Sequence, residues 1–250
     1  MDGDIQAHYA LGNDINAIPT ITWNDGDGFE PIADSTGDFN DGAFEGTLTG
    51  NGHQITYLVI DRASENRVAL FSGIDTNAVI EDVLLVNADI SGQVRTGGLS
   101  GASWGTIRRC GIIDSNIQGT ERVGGLVATA NGRQGSTISN VFTVNTEISG
   151  DDRVGGIVGQ DWHGEVKKSF STNNGIIGYS TSSTTESVYY ENSGGNSIGV
   201  QLTQEEMQGS SAAEAMEGFD FDSVWDTVED DYPIVQSLSV QYLGQGTVIG

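Results

Sequence analysis

Four of the eight arginines in this 250-residue chain recur at nearly equal intervals. They are separated by 28, 27 and 31 residues, and each precedes a run of small and apolar residues. We call this set the arginine column: Arg67, Arg95, Arg122 and Arg153. A guanidinium forms two parallel hydrogen bonds with a carboxylate, so a column of them could bind the repeating charges of an anionic glycan.

A structural role for the column competes with glycan binding. Like charges stacked one above another repel each other unless carboxylates lie between them. Glu121, Asp151 and Asp152 are close to the column in sequence and suit this pairing. We therefore favour ion pairs within the protein and keep the anionic-glycan site as the alternative.

Two acidic, glycine-containing loops carry the oxygen donors that calcium prefers. The donors alternate along the two loops at Asn24, Asp25, Asp27, Asp38, Asn40 and Asp41. Neither loop matches the twelve-residue calcium loop with its terminal glutamate. In an acidic, glycine-rich chain such runs also arise as ordinary turns. A structural calcium ion is thus a hypothesis for these loops, and no other cofactor is expected.

Residues suited to catalysis are few. The three histidines are far apart in sequence, and none completes the zinc-binding pattern His-Glu-x-x-His. Stacked repeats would place Asp89 two coils from Glu147, about 9.6 Å away at the usual strand spacing. That separation is near the upper limit for an inverting glycosidase, yet no aromatic cluster flanks the pair. We predict a solvated polar ladder here, no catalytic residues and no enzymatic activity.

The charge of the chain excludes several partners. Thirty-five acidic against ten basic residues give a formal net charge of −25, which repels nucleic acid and anionic lipid. No apolar run approaches the roughly 18 residues of a membrane span, so no membrane insertion is expected. Acids spread through regular apolar patterning are typical of a halophilic surface, on which salt screens the repulsion. The single cysteine, Cys110, excludes an internal disulfide and is predicted to be buried.

The arginine column belongs to a longer internal repeat. Short apolar runs broken by Gly, Asn and Asp, typical of strands, return with the same period. A fixed period of this size indicates stacked units that bury their apolar faces against each other. Leucine-rich repeats need a helix that these glycine-rich sequences do not offer. Propeller blades need about 40 residues. We predict an all-β fold, a parallel β-helix (β-solenoid) of about seven coils.

The domain organisation follows from where this repeat is regular. We predict N-terminal degenerate coils with larger loops, regular coils, a C-terminal helix with a cap, and a linker or the start of a following segment. These regions span residues 5–73, 74–190, 191–236 and 237–250.

The C-terminal region is predicted to close the stack. Thr203 and Glu206 have the spacing of a capping box, which begins a helix that extends to about Met216. The bulky residues Phe219, Phe221 and Trp225 follow it. Because a bare terminal coil exposes strand edges and core, we expect these residues to cover the open end.

Several motifs resemble one family. The run Val-Gly-Gly-Ile-Val-Gly at residues 154–159, with a near copy at 123–127, resembles the GLUG motif of bacterial and archaeal surface proteins. Similar matches to the family's opening, turn and closing segments lie at residues 9–15, 44–55, 202–207, 218–225 and 232–235. The resemblance implies a right-handed β-helix and a cell-surface setting, as in secreted adhesin-like proteins. It carries over no catalytic residue.

These observations predict a non-enzymatic, extracellular module of a halophilic cell-surface protein, a fragment of a larger secreted chain. It would act as a spacer or an adhesive segment, with a surface glycan or another surface protein as partner. Two alternatives use the same scaffold. One is a polysaccharide-active lyase or glycosidase, and the other is the receptor-binding part of a viral tail fibre or spike.

Overall fold

The computed structural model describes residues 4–33, 42–132, 135–192 and 198–238. Its described part is an all-β parallel β-solenoid, as predicted. Among the described residues, every pair of strands except the last is parallel.

The strands are short and follow one another around each coil. The first coils contain β1 (His8–Ala10), β2 (Ile15–Asn16), two 3-10 helices (Ile18–Thr22 and Asn24–Gly26), β3 (Thr47–Thr49), β4 (Gln54–Thr56) and β5 (Val59–Asp61). The middle coils contain β6 (Val79–Glu81), β7 (Leu84–Val86), β8 (Asp89–Ser91), β9 (Val94–Gly97), β10 (Thr106–Arg108), β11 (Gly111–Ile113), β12 (Asn116–Gln118), β13 (Glu121–Gly124) and β14 (Val127–Asn131). They continue with β15 (Thr137–Ser139), β16 (Phe142–Val144), β17 (Glu147–Ser149), β18 (Asp152–Gly155) and β19 (Val158–Trp162).

The last part of the chain completes the stack and then leaves it. It contains β20 (Glu165–Ser171), β21 (Ile177–Thr181), β22 (Thr184–Tyr190), β23 (Val200–Gln201), α1 (Gln204–Met207), α2 (Ser211–Ala215), β24 (Trp225–Val228) and β25 (Asp231–Val235).

The number of complete coils is smaller than predicted. On one face seven strands stack in the order β1-β3-β6-β10-β15-β20-β22, which matches the predicted seven coils. The next sheet around the coil holds only four described strands, β5-β8-β12-β17, and the one after it three, β9-β13-β18. The described chain therefore makes about four full turns, because the first and last coils lack some of the strands that a full turn needs.

Identical repeat positions stack in register and form the core. One such column contains Ile80, Ile107, Ile138 and Val166. Each residue pairs with the next along one sheet, and all four are buried. Cys110 is also fully buried, as predicted, and burial raises the pKa of its thiol to about 12. Such a thiol stays protonated and is inert.

The corners of the coil use left-handed backbone at non-glycine residues. One column of such corners contains Tyr57, Asn87, Asp114 and Asn145, with φ between 48° and 58°. Asn and Asp tolerate this conformation better than other side chains. The stacked polar residues at positions 87, 114 and 145 therefore form a column of turns.

The C-terminal segment begins as predicted and then departs from the prediction. Thr203 and Glu206 form the predicted capping box at the start of α1. Gln208 has extended backbone and Gly209 has φ +56°, so the single helix expected to about Met216 is two short helices instead.

This segment covers the side of the solenoid rather than its open end. We call residues 202–238 the C-terminal strap. Its buried side chains are Met207, Ala212, Met216, Phe219, Trp225, Tyr232, Ile234, Val235 and Leu238. They pack on outward-facing residues of the large sheet, namely Leu84, Ile113, Phe142, Val144, Phe170 and Tyr189. The Ser237 hydroxyl donates to the Asp82 carboxylate, which fixes the strap's far end on an early coil.

Candidate functional site

The arginine column is a real column on the solenoid surface. The parallel pairs Val94↔Glu121 and Glu121↔Asp152 place Arg95, Arg122 and Arg153 on successive coils. All four arginines have left-handed backbone, with φ of 60°, 68°, 61° and 56° in chain order. The column is thus another line of turns, a geometry that the sequence pattern did not reveal.

Glycines of the repeat allow this turn to approach the next strand. A Cβ on Gly159 would lie 2.7 Å from the backbone carbonyl carbon of Arg122, and one on Gly178 would lie 2.6 Å from that of Arg153. Real Cβ atoms do not approach backbone so closely. The glycines after the column therefore serve packing.

The arginines of the column are engaged within the protein. Glu121 Oε1 accepts from Arg153 Nη1 at 2.7 Å and lies 3.0 Å from Arg122 Nη2. Arg153 also lies 3.3 Å from the Asp152 carboxylate, and its guanidinium is 5.3 Å from the centre of the Tyr179 ring. Arg67, the first arginine of the column in chain order, is buried. This arrangement favours structural ion pairing over the anionic-glycan site.

The structure describes one of the two loops considered for calcium. Asn24 and Asp25 have positive φ, and the Asn24 amide donates to the Gly28 carbonyl at 2.8 Å, as in an ordinary turn. Asp38, Asn40 and Asp41 lie outside the described residues. Within the described ranges, no three His, Cys, Asp or Glu side chains converge to hold a metal. Calcium binding stays a prediction.

The polar ladder containing Asp89 and Glu147 has the predicted register. Asn116 pairs with both residues, and its side-chain amide donates to Asp89 Oδ1 at 3.0 Å. Both carboxylates face solvent, consistent with a solvated ladder. The absence of enzymatic activity stays a prediction.

Sequence reasoning missed a cleft at the end of one sheet. It has a volume of about 370 Å³ and is lined by Asn131, Trp162, His163 and Thr181. Three of these residues end the strands β14, β19 and β21 and pair directly with each other. Trp104 occupies the same register two coils before Trp162, because Ser103 pairs with Ala130 and Ala130 with Asp161, so a recurring tryptophan was the signal in the sequence.

A buried carboxylate lies next to this cleft. Asp161 is fully buried, and its Oδ1 accepts from the backbone N–H of Gly164 at 2.9 Å. Its Oδ2 has no hydrogen-bond partner among the described residues. Burial raises the pKa of this carboxyl above its ordinary value.

The N-terminal end of the stack is strongly apolar. Ile15, Ile18, Ile21 and Trp23 expose between 40% and 57% of their surface. A cavity of about 240 Å³ lies beside them and is lined almost entirely by apolar side chains.

Comparisons with known proteins place this geometry in context. No family model matches the chain. The chain is 46% identical to halomucin of Haloquadratum walsbyi over 123 residues, which cover 48% of the chain and 1% of halomucin. It is 32% identical over 103 residues to a protein of Evansella cellulosilytica provisionally described as a Gly-rich membrane protein. That match covers 40% of the chain and 11% of the relative. The chain thus spans a small part of either relative.

The fold is similar to a solved structure. A crystal structure of a Bacteroides ovatus protein, provisionally described as an immunoglobulin A1 protease, superposes with a TM-score of 0.68 at 18% identity. The match covers 94% of this chain and 87% of that one, and at this identity it supports the fold alone. Among the described residues of the present chain, no helix has the length and apolar character needed to cross a membrane. Together the halomucin similarity and the solenoid fit a repeat domain of a haloarchaeal surface protein.

Proposed function

We propose that this chain is a non-enzymatic, extracellular β-solenoid module of a halophilic cell-surface protein. In this proposal it is a GLUG-type repeat unit that acts as a spacer or an adhesive segment within a longer chain.

The observation that carries the proposal is that the recurring residues build the stack. The repeated arginines form turns. Arg122 pairs with Glu121, Arg153 pairs with Glu121 and Asp152, and the repeated glycines allow coils to approach. Parallel coils joined in this way make a stiff rod whose length grows with each repeat. A rod of this kind suits a spacer that holds other segments away from a cell.

The chemistry of the surface supports the halophilic setting. A net charge of −25 on 250 residues produces strong self-repulsion, which molar salt screens. The similarity to halomucin of Haloquadratum walsbyi supports the same setting and a place outside the cell.

The alternatives have less support. The likeness to the Bacteroides ovatus protein concerns the fold, which hosts many unrelated functions. Glycosidase chemistry was considered for one pair of stacked carboxylates, Asp89 and Glu147. Asp89 accepts a hydrogen bond from the Asn116 amide, and both carboxylates are open to solvent. A viral fibre predicts a stable trimer, which sedimentation in molar salt would detect.

The test is immunogold labelling of intact cells that produce the protein. Antibodies against residues 42–132 should label the outer surface without permeabilisation, and protease added outside the cells should remove the label. A cytoplasmic protein of the same cells serves as the control. Label that appears only after permeabilisation would overturn the proposal.

A further inference from the structure

We propose that the cleft at the ends of β14, β19 and β21 binds a neutral hexopyranose unit of a glycan. This site gives the adhesive part of the proposed function a location, and it rests on that proposal only for its biological setting.

The first support is the arrangement of the lining residues. Asn131, Trp162 and Thr181 are direct partners in a parallel sheet, so their side chains project from the same face at the usual spacing of about 4.8 Å. The Trp162 indole therefore lies between a side-chain amide and a hydroxyl. An apolar ring flanked by polar groups matches a pyranose, which has an apolar C–H face and a rim of hydroxyls.

The second support is hydrogen-bonding capacity that the protein leaves unused. Among the described residues, neither Trp162 Nε1, nor the His163 ring, nor Thr181 Oγ1 has a hydrogen-bond partner. All three side chains are at least partly exposed. They supply donors and acceptors in the lining of a cleft of about 370 Å³, which is within the usual size of small-molecule sites.

The third support is the way the backbone holds His163. The buried Asp161 carboxylate accepts from Gly164 N–H and closes the turn that contains His163, whose φ is +60°. The His163 N–H also donates to the Thr181 carbonyl at 3.1 Å. A Cβ on Gly164 would lie 2.4 Å from Asp161 Oδ1, so the turn is packed tightly. The backbone of His163 is thus held next to Trp162 before any ligand arrives.

Charge selects a neutral ligand over an anionic one. The net charge of −25 opposes phosphates, sulfates and uronates. An apolar ligand would leave the polar groups of the cleft unpaired, which costs free energy. A neutral sugar satisfies both conditions, and molar salt weakens its binding little because no ion pair is involved.

The experiment is saturation-transfer difference NMR in molar salt with methyl glycosides of glucose, galactose and mannose, and with methyl glucuronide as the anionic probe. We expect saturation transfer to at least one neutral glycoside, with a dissociation constant on the order of millimolar. Trp162→Ala should weaken binding about tenfold or more, whereas Trp23→Ala, which alters an exposed tryptophan at the N-terminal end, should leave it unchanged. Melting temperatures report whether each variant folds.

A second pair of variants guards against misfolding of Trp162→Ala. Trp162→Phe keeps an aromatic face and should retain most of the binding, whereas Thr181→Val keeps the shape but removes the hydroxyl and should weaken it. The absence of transfer to every neutral glycoside, stronger transfer to the glucuronide, or equal binding by Trp162→Ala and the unaltered protein would each overturn the proposal. None of these results changes the immunogold outcome, so the surface role fails or stands separately.

Discussion

Arg153 Nη1 donates to Glu121 Oε1 at 2.7 Å although the two residues are 32 positions apart in sequence and lie on adjacent coils. The same carboxylate oxygen is 3.0 Å from Arg122 Nη2, so one glutamate lies between two stacked guanidiniums. This placement offsets the repulsion between like charges in successive turns.

The first prediction concerns the strength of this pairing. Arg153→Gln removes the ion pair with Glu121 and the contact with Tyr179. Because the Arg153 side chain is partly exposed, the free energy of unfolding should fall by only about 0–1 kcal/mol. Denaturant unfolding at fixed salt measures the change, with Asp152→Asn as the control for the longer, more exposed pair. A protein that no longer folds would contradict this prediction.

The second prediction concerns binding by the same column. If Arg95, Arg122 and Arg153 pair within the protein, changing all three to Gln should not alter binding to sulfated or uronate-containing glycans. An array compares the unaltered protein with the triple variant in molar salt. A loss of anionic-glycan binding confined to the triple variant would restore the ligand-site alternative.

The third prediction concerns salt. Thirty-five acidic against ten basic residues leave an excess of negative charge. These negative charges repel one another over distances of about 10 Å at 0.1 M salt and over much shorter distances at molar salt. The melting temperature should therefore rise steeply from low to molar sodium chloride. Thermal unfolding without denaturant measures the melting temperature, and sucrose at matched viscosity controls for general solvent effects. A flat profile would sink the interpretation of a halophilic surface.

The sequence predicted the stack well because its period is exact enough to align columns. The core column at Ile80, Ile107 and Ile138 and the buried Cys110 follow directly from that alignment. The number of complete coils could not be predicted, because the degenerate first and last coils keep only part of the pattern.

The sequence analysis did not predict that the strap covers the side of the solenoid, although the sequence contains a sign of it. The residues Leu84-Leu85 in β7 and Ile112-Ile113 in β11 are consecutive apolar pairs, and alternating strands with one solvent face do not need them. Such pairs indicate strands that are buried on both faces. Gly111 makes room for the Phe142 ring on the next coil, because a Cβ at position 111 would lie 2.2 Å from that ring.

The cleft and the turns were harder to predict. The arginines of the column adopt a left-handed conformation that arginine does not prefer. Their role as turn residues is therefore visible in the backbone of the structure and could not be predicted from residue type. The cleft depends on Trp162 lying between Asn131 and Thr181. The spacing of 31 residues between Arg122 and Arg153, longer than the other two, disturbs the sequence alignment of that position.

The fourth prediction concerns the strap. Trp225 is fully buried and lies 6.0 Å from Phe142 and 5.8 Å from Phe170 between ring centres. Trp225→Ala should destabilise the protein by about 3–5 kcal/mol, as large cavities do. Trp23→Ala, at an exposed tryptophan, should cost less than about 0.5 kcal/mol.

Removal of the whole strap extends the same test. Truncation after Gln201 exposes the apolar stripe of Phe142 and Phe170 on the side of the stack, so the shortened protein should aggregate. Light scattering measures this. A monomeric truncated protein with unchanged stability would show that the strap is not needed.

The last prediction concerns pH and the buried Asp161. Burial is the main cause that raises the pKa of its carboxyl, and the nearby Ser183 hydroxyl, the hydrogen bond from Gly164 N–H and the charge of His163 only partly oppose it. The folded state thus holds the Asp161 proton more tightly than the unfolded chain does. Its contribution to stability is full below the unfolded pKa and is lost as pH rises through the higher folded pKa.

Once the pH rises through that folded pKa, the folded protein must bury a carboxylate whose Oδ2 has no hydrogen-bond partner among the described residues. Asp161→Asn keeps the shape and the acceptor for Gly164 N–H but cannot ionise. Its stability relative to the unaltered protein should increase from acid to neutral pH, by about 1–3 kcal/mol. Asp222→Asn removes one negative charge from an exposed position and corrects for the general repulsion of the acidic surface. Unfolding free energies of the three proteins across this pH range decide the matter, and parallel profiles for the two variants would show that burial of Asp161 carries no charge penalty.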